Sequence, residues 1–145
     1  MNVAIRAMTV DDYPAVTELW RQTEGIGLNE SDSEDAVGLF LRRNPGMSAI
    51  AVSSSNELLG AVLCGHDGRR GYLHHLAVAP SHRKQGIASH LIAWCFGHLA
   101  TEMIPKCNVF LLNSNESGAS FWQHNGWSPR HDLRVFQKEV AGDST

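Results

Sequence analysis

The stretch Leu73–Leu91 reads L-H-H-L-A-V-A-P-S-H-R-K-Q-G-I-A-S-H-L. The run from Gly71 to Ala79 has strand character and stops at Pro80, which has no amide hydrogen to give a ladder. From about Gln85 to Leu99 apolar residues recur nearly all round, which predicts a long helix buried against a sheet. A short basic turn containing Gly86 joins the two. Backbone amides from Arg83 to Ala88 converge at the helix N-terminus, where the helix dipole adds positive potential. Gly86 permits close approach of a ligand to the backbone, and Ala88 leaves room beside it. Arg83 and Lys84 add charge at the rim. The spacings G-x-x-x-x-G-K-[ST] and G-x-G-x-x-G are both absent, so an anion site here is of another kind. Taken alone, the turn suits an ordinary capped strand–helix junction equally well.

Upstream of this stretch, Asn2–Ala7 alternates as a first strand. Thr9, Asp11 and Asp12 open a helix, with Pro14 in its first turn and Tyr13, Val16, Leu19 and Trp20 as its buried stripe. Residues 25–32 read as a loop. Ser33, Glu34 and Asp35 begin a second helix that runs to about Arg43 and stops at Asn44-Pro45-Gly46. Met47–Ser53 and Glu57–Gly65 are strands, and Asp67-Gly68 is a hairpin signal. Downstream, Lys106–Leu112 is apolar on both faces and reads as a central strand. Ser117–Asn125 is a fourth helix, Trp127–Gln137 gives one or two closing strands, and 141–145 is a frayed tail. The order β-α-α-β-β-β-α-β-α-β predicts an α+β domain. Its sheet is mixed and mostly antiparallel, of six or seven strands flanked by about four helices, with one strand–helix–strand crossover.

The 145 residues suit a single domain spanning 1–145. Hydrophobic residues are 43% and charged residues 19%, enough for a packed core. A net charge of −3 argues against a nucleic-acid or anionic-membrane surface. No apolar run reaches the ~18–20 residues of a membrane span. The N-terminus has no secretion pattern. Cys64, Cys95 and Cys107 are an odd, widely spaced set and read as reduced core residues of a cytoplasmic protein. His90 and His98 lie eight apart on one helix without a third ligand, so no metal is expected.

The segment Val78-x-Pro80-x-x-Arg83-x-x-Gly86-Ile87-Ala88, preceded by Leu76-Ala77, resembles motif A of the GCN5-related N-acetyltransferases, with Ala88 in place of the third glycine. Asn115-x-x-Gly118-x-x-Phe121-Trp122-x-x-x-Gly126-Trp127 resembles a second element of that family. The hairpin from Gly65 to Gly71 is similar to that of small single-domain bacterial members. The resemblance covers nearly the whole chain. It implies the acyl-CoA N-acyltransferase fold, in which the fourth and fifth strands splay. It also implies acetyl-CoA as cosubstrate and direct acetyl transfer to a primary amine of a small molecule or a peptide N-terminus. Pantetheine would pair with Leu76, Ala77 and Val78, where a main-chain amide such as that of Leu76 polarises the thioester carbonyl. Arg83, Lys84, Gln85, Gly86, Ile87 and Ala88 would bind pyrophosphate, and Asn115 would contact the cofactor or cap its helix. The alternative is a coenzyme A-binding sensor or interaction module with weak or no transferase activity.

Two departures from the family pattern matter. Many members place a glutamate base on the fourth strand, whereas this chain has His74 and His75. Strand alternation would send these to opposite faces. Aligned on the Leu-Ala-Val run, the second histidine of arylalkylamine acetyltransferases falls on His74, which is therefore the preferred base. The family's tyrosine acid is replaced by Trp122, whose indole cannot serve as a proton acid. The leaving thiolate is then left to solvent or to a hydroxyl such as Ser117, Ser120 or Tyr72. In this family the loop between the first two helices shapes the acceptor pocket. Here it carries Glu24, Glu30 and Asp32, which either attract a cationic amine or charge the start of the second helix. Substrate choice then rests with loops or with a second subunit in a homodimer.

Overall fold

A computed structural model describes residues 2–141, and these fall into two compact units, one ending at Phe110 and the other beginning at Leu111. In the first unit β1 (Val3–Ala7) precedes α1 (Tyr13–Arg21) and α2 (Glu34–Arg43). Three strands follow, β2 (Ala49–Ser53), β3 (Leu58–His66) and β4 (Gly71–Val78). The helix α3 (Ile87–Thr101) then crosses over to β5 (Cys107–Val109). Sheet order is β1-β2-β3-β4-β5, antiparallel throughout except for the parallel β4–β5 pair. A parallel neighbour needs a crossover connection, and α3 supplies it.

Local chemistry sets the helix starts. Ser33 Oγ accepts from Ala36 N at 3.1 Å, with Glu34 and Asp35 in the first turn of α2 and Arg42 and Arg43 in its last. Before α1, Asp12 accepts from Thr9 N at 2.8 Å and takes both terminal nitrogens of the Arg6 guanidinium at 3.0 and 2.9 Å. In the hairpin before β4, Asp67 Oδ1 accepts from the amides of Arg69 and Arg70, each at 2.8 Å, and Gly68 takes a φ of 91°.

The sheet has a core on each face. Val16 and Trp20 of α1 and Val37 of α2 pack with Ile50, Ala61, Leu63 and Ala77. On the other face α3 buries only one stripe: Ile87, Leu91, Cys95 and Leu99. The expectation of a helix buried nearly all round is therefore corrected, since Phe96 keeps 43% of its surface exposed. Close approach of α3 depends on glycines: a Cβ on Gly60 would sit 3.1 Å from Leu91 Cδ1, and one on Gly71 would sit 2.7 Å from Leu99 Cδ2.

Two strand expectations also change. β5 is short and lies at the sheet edge rather than in its centre, with Phe110 62% exposed. The sheet has five strands instead of six or seven, because Trp127–Gln137 is not in strand conformation. Within the second unit the described residues hold no other strand for that segment to pair with, and an alternating sequence without a ladder partner stays irregular. Leu133 and Val135 accordingly lie exposed. No helix among the described residues is long and apolar enough to cross a membrane. The tail expected at 141–145 lies outside the described residues beyond position 141.

The second unit is organised by α4 (Glu116–His124). Asn115 caps it, its Oδ1 accepting from Gly118 N at 2.9 Å. The helix ends in a Schellman turn: Gly126 takes a φ of 91°, its amide donates to Gln123 O, and Trp127 N donates to Trp122 O at 3.0 Å. The Trp122 and Trp127 rings meet at 4.7 Å, supplying the apolar contact that accompanies such a turn.

Candidate active site

β4 and β5 pair only at Gly71–Cys107, Tyr72–Asn108 and Leu73–Val109. Beyond Leu73, the side of β4 that faced β5 has no partner strand among the described residues, so backbone groups from His74 to Val78 border a gap in the ladder. The turn that follows is as expected. A 3-10 turn at Pro80–His82 leads to Gly86, which takes a φ of 84° as the residue before α3. Lys84 also has positive φ, 63°. The amides of Lys84, Gln85, Gly86 and Ile87 have no backbone acceptor among the described residues. They stand where the positive helix end adds to them. Arg83 turns back, its Nε donating to Val78 O at 3.1 Å, and thereby ties the turn to the strand end.

The central feature of β4 is a bulge. Leu63 opposes His74 and Ala61 opposes Ala77, so Val62 faces two residues, His75 and Leu76. His75 takes a φ of 55°, in the left-handed region that histidine enters more readily than most residues. The bulge reverses the alternation of the strand. Gly71 meets α3, whereas Ala77 joins the core of α1 and α2. The opposite-face expectation for the two histidines is thereby overturned. His74 packs on Phe40 of α2 at 5.9 Å, and His75 packs on Trp20 of α1 at 4.9 Å.

Their environments differ. His74 stacks on Tyr72 at 6.3 Å and lies 6.5 Å from Phe110. Burial pushes its pKa below the ordinary histidine value, His75 pushes in the same direction, and Asp32 opposes them. His74 is thus a neutral imidazole at neutral pH. The His75 ring meets a carboxylate: its Nε2 lies 3.0 Å from Asp32 Oδ1. Asp32 is 7% exposed, and its Oδ2 accepts from Asn29 N at 3.0 Å. Trp20 Nε1 donates to His75 O at 3.0 Å, and the Tyr13 hydroxyl donates to Asp32 O at 2.7 Å.

Of the acidic loop residues, Asp32 is therefore an internal partner rather than a free surface charge, while Glu24 and Glu30 are exposed. Sequence reading missed the link between Asp32 and His75. They lie 43 residues apart, and no spacing pattern announces such a pair. His74, Leu76, Ala77, Val78 and Arg83 to Ala88 form one continuous strand–turn–helix segment of the first unit. Asn115 and Trp122 belong to α4 of the second unit, where Asn115 acts as helix cap.

The model of the acetyltransferase (GNAT) family matches residues 13–127. The chain belongs to that family. A curated acetyltransferase of Sodalis glossinidius is 26% identical over 139 residues, covering 96% of each chain. An acetyltransferase of Pectobacterium atrosepticum is 30% identical over 113 residues, covering 78% of this chain and 79% of its own. Among solved structures, a PaiA N-acetyltransferase from Thermoplasma acidophilum in complex with coenzyme A superposes with a TM-score of 0.77 at 19% identity. It covers 88% of this chain and 91% of its own. AAC(6')-Iy bound to a CoA bisubstrate analogue gives 0.75 at 18% identity, over 97% and 100%. These likenesses establish a GNAT fold. The family match runs across the boundary between the two units.

Proposed function

We propose that this GNAT acetyltransferase moves the acetyl group of acetyl-CoA directly to a primary amine of a small molecule or a peptide N-terminus, working as one domain over 1–145. The observation that carries the reading is the parting of β4 from β5 after Leu73 and Val109, on the strand that leads into the turn at 84–87 whose amides have no backbone acceptor among the described residues. A pantetheine arm needs an unpaired strand edge, and a pyrophosphate needs convergent N–H donors. Here the strand edge at 74–78 leads, through the turn at Pro80–His82, to amides at 84–87 that have no backbone acceptor among the described residues. Leu76, Ala77 and Val78 would pair with pantetheine, and an amide near Leu76 would polarise the thioester carbonyl. A fixed donor of that kind lowers the barrier by ~2.7–4 kcal/mol. Arg83, Lys84, Gln85, Gly86, Ile87 and Ala88 would hold the pyrophosphate.

His74 is the base in this reading. Burial keeps it unprotonated at neutral pH, the form that accepts a proton. Trp122, in the family's tyrosine position, donates no proton, and solvent protonates the leaving thiolate. That step is mild because a free thiol has a pKa of about 8.5. The enzyme would act in the cytoplasm without a metal, and a homodimer would add its second subunit to acceptor choice.

The test is a thermal shift with coenzyme A, followed by thiol release from acetyl-CoA over small amines, polyamines and peptide N-termini. Stabilisation by CoA with turnover of at least one amine supports the reading. Binding without turnover assigns the chain to the sensor alternative, and no shift at all removes the cofactor assignment. The protein's own thiols interfere little. Cys64 and Cys95 are buried, and burial together with Cys64 pushes the Cys107 thiol up to about 12.

A further inference from the structure

We propose that His75 is a second proton acceptor of the acetyl-transfer site and that Asp32 is its positioning residue, holding Nε2 so that Nδ1 carries the lone pair. This rests on the acetyltransferase reading above. The proton count of the reaction motivates it. An ammonium nitrogen arrives with three hydrogens and leaves in the amide with one. A C–N bond forms, the C–S bond breaks, one of the released protons ends on the thiolate sulfur and the other reaches solvent. Two protons must therefore leave the nitrogen. One neutral imidazole, His74, accounts for one of them.

Geometry supplies the second acceptor. The bulge turns His75 onto the same face of the sheet as His74. Asp32 Oδ1 stands 3.0 Å from Nε2, and a carboxylate there fixes the tautomer with hydrogen on Nε2. Asp32 has no freedom to do otherwise. It is buried, its other oxygen holds the Asn29 amide, and its own carbonyl takes the Tyr13 hydroxyl. The His75 side chain keeps 19% of its surface, so the ring is not sealed. The groups that face it are Asp32 from the loop, Trp20 and, through Asp32, Tyr13 from α1, His74 on its own strand, and Val62 opposite on β3. Asp32 is the one anion among them. A fold that needed only a left-handed residue at position 75 would be met by glycine or asparagine. Neither would engage a buried carboxylate through a ring nitrogen.

The experiment uses the full chain labelled with 15N-histidine, and variants His75→Asn and Asp32→Asn. Asparagine tolerates positive φ, so the first variant keeps the bulge. The wild-type spectrum at pH 7.5 should show His75 with hydrogen on Nε2 and a bare Nδ1, and Asp32→Asn should abolish that preference. With the best amine of the panel, log kcat against pH should approach a limiting acid slope of two. His75→Asn should reduce the slope to one, and both variants should reduce kcat at least tenfold, with the thermal shift by CoA unchanged within a degree. A wild-type His75 with hydrogen on Nδ1 overturns the proposal. So does a kcat within twofold of wild type and an unchanged slope in His75→Asn. If His75→Asn does not fold, the wild-type tautomer and Asp32→Asn decide. If no amine is turned over, the transferase reading fails while the tautomer result still stands or falls alone.

Discussion

Adding one methyl group to Gly65 should unsettle the site from behind. A Cβ built there would lie 2.7 Å from Asn44 Nδ2, 2.8 Å from Asn44 Cγ and 2.8 Å from Phe40 Cζ. Real Cβ atoms do not come that close, so both neighbours must move. Asn44 is 5% exposed, and its amide makes two hydrogen bonds, Nδ2 to Phe40 O at 3.3 Å and Oδ1 from His66 N at 3.1 Å. Overpacking costs about 1–3 kcal/mol. Stranding a buried polar group adds about 1–3 kcal/mol. We expect Gly65→Ala to destabilise by about 3 kcal/mol, because part of each strain relaxes. At this chain length that lowers the melting temperature by about 9 °C. Phe40 also supports His74, so turnover should fall while the thermal shift by CoA persists. Thermal or urea unfolding of Gly65→Ala, Asn44→Ala and the double variant reads the outcome. Asn44→Ala removes one clashing side chain, so the double variant should be at least about 1 kcal/mol more stable than the single effects add up to. Strict additivity, or a melting temperature within 2 °C of wild type for Gly65→Ala, would refute the packing argument.

Gly86→Ala meets no close atom but keeps its left-handed backbone, so we expect a loss of about 1 kcal/mol and weaker CoA stabilisation; an unchanged melting temperature would contradict it. Thr17 Oγ1 is buried without a hydrogen-bond partner among the described residues, and Thr17→Val should raise stability by about 1 kcal/mol in a urea titration. The depressed His74 pKa makes the unfolded chain take protons that the folded ring refuses. Stability should therefore be unaffected above the unfolded value of about 6.5 and fall as pH drops below it. The stability margin of wild type over His74→Gln should be smaller at pH 5 than at pH 7.5, and a constant margin would count against the burial. Trp122→Phe should hold kcat within about threefold, since no proton passes through the indole; a loss of about 100-fold, the size of a lost general acid, would show otherwise.

Much of this molecule is written locally. Ser33 with its following carboxylates, Asp67-Gly68, Pro80 and the Gly86 turn each satisfy or remove backbone donors within a few residues, and their roles need no distant partner. The segment around Asn115 to Trp127 is a helix with its cap and its Schellman stop, so its polar, glycine and aromatic positions each have a local role. For that reason the family, the crossover and the candidate cofactor turn were legible in the sequence. What depends on pairing was not. The alternation of Leu133 to Gln137 gives strand propensity, but a strand exists only where a neighbour offers a ladder. The reversal at His75 comes from a one-residue mismatch between β3 and β4, which neither strand carries alone. Asp32 reads as a loop charge until the fold brings it across 43 residues to a ring nitrogen. The sequence determined the local turns and helix ends, including the glycine turn before α3. The tertiary structure decided which side chains share a face, because register and burial are properties of strands and helices in contact.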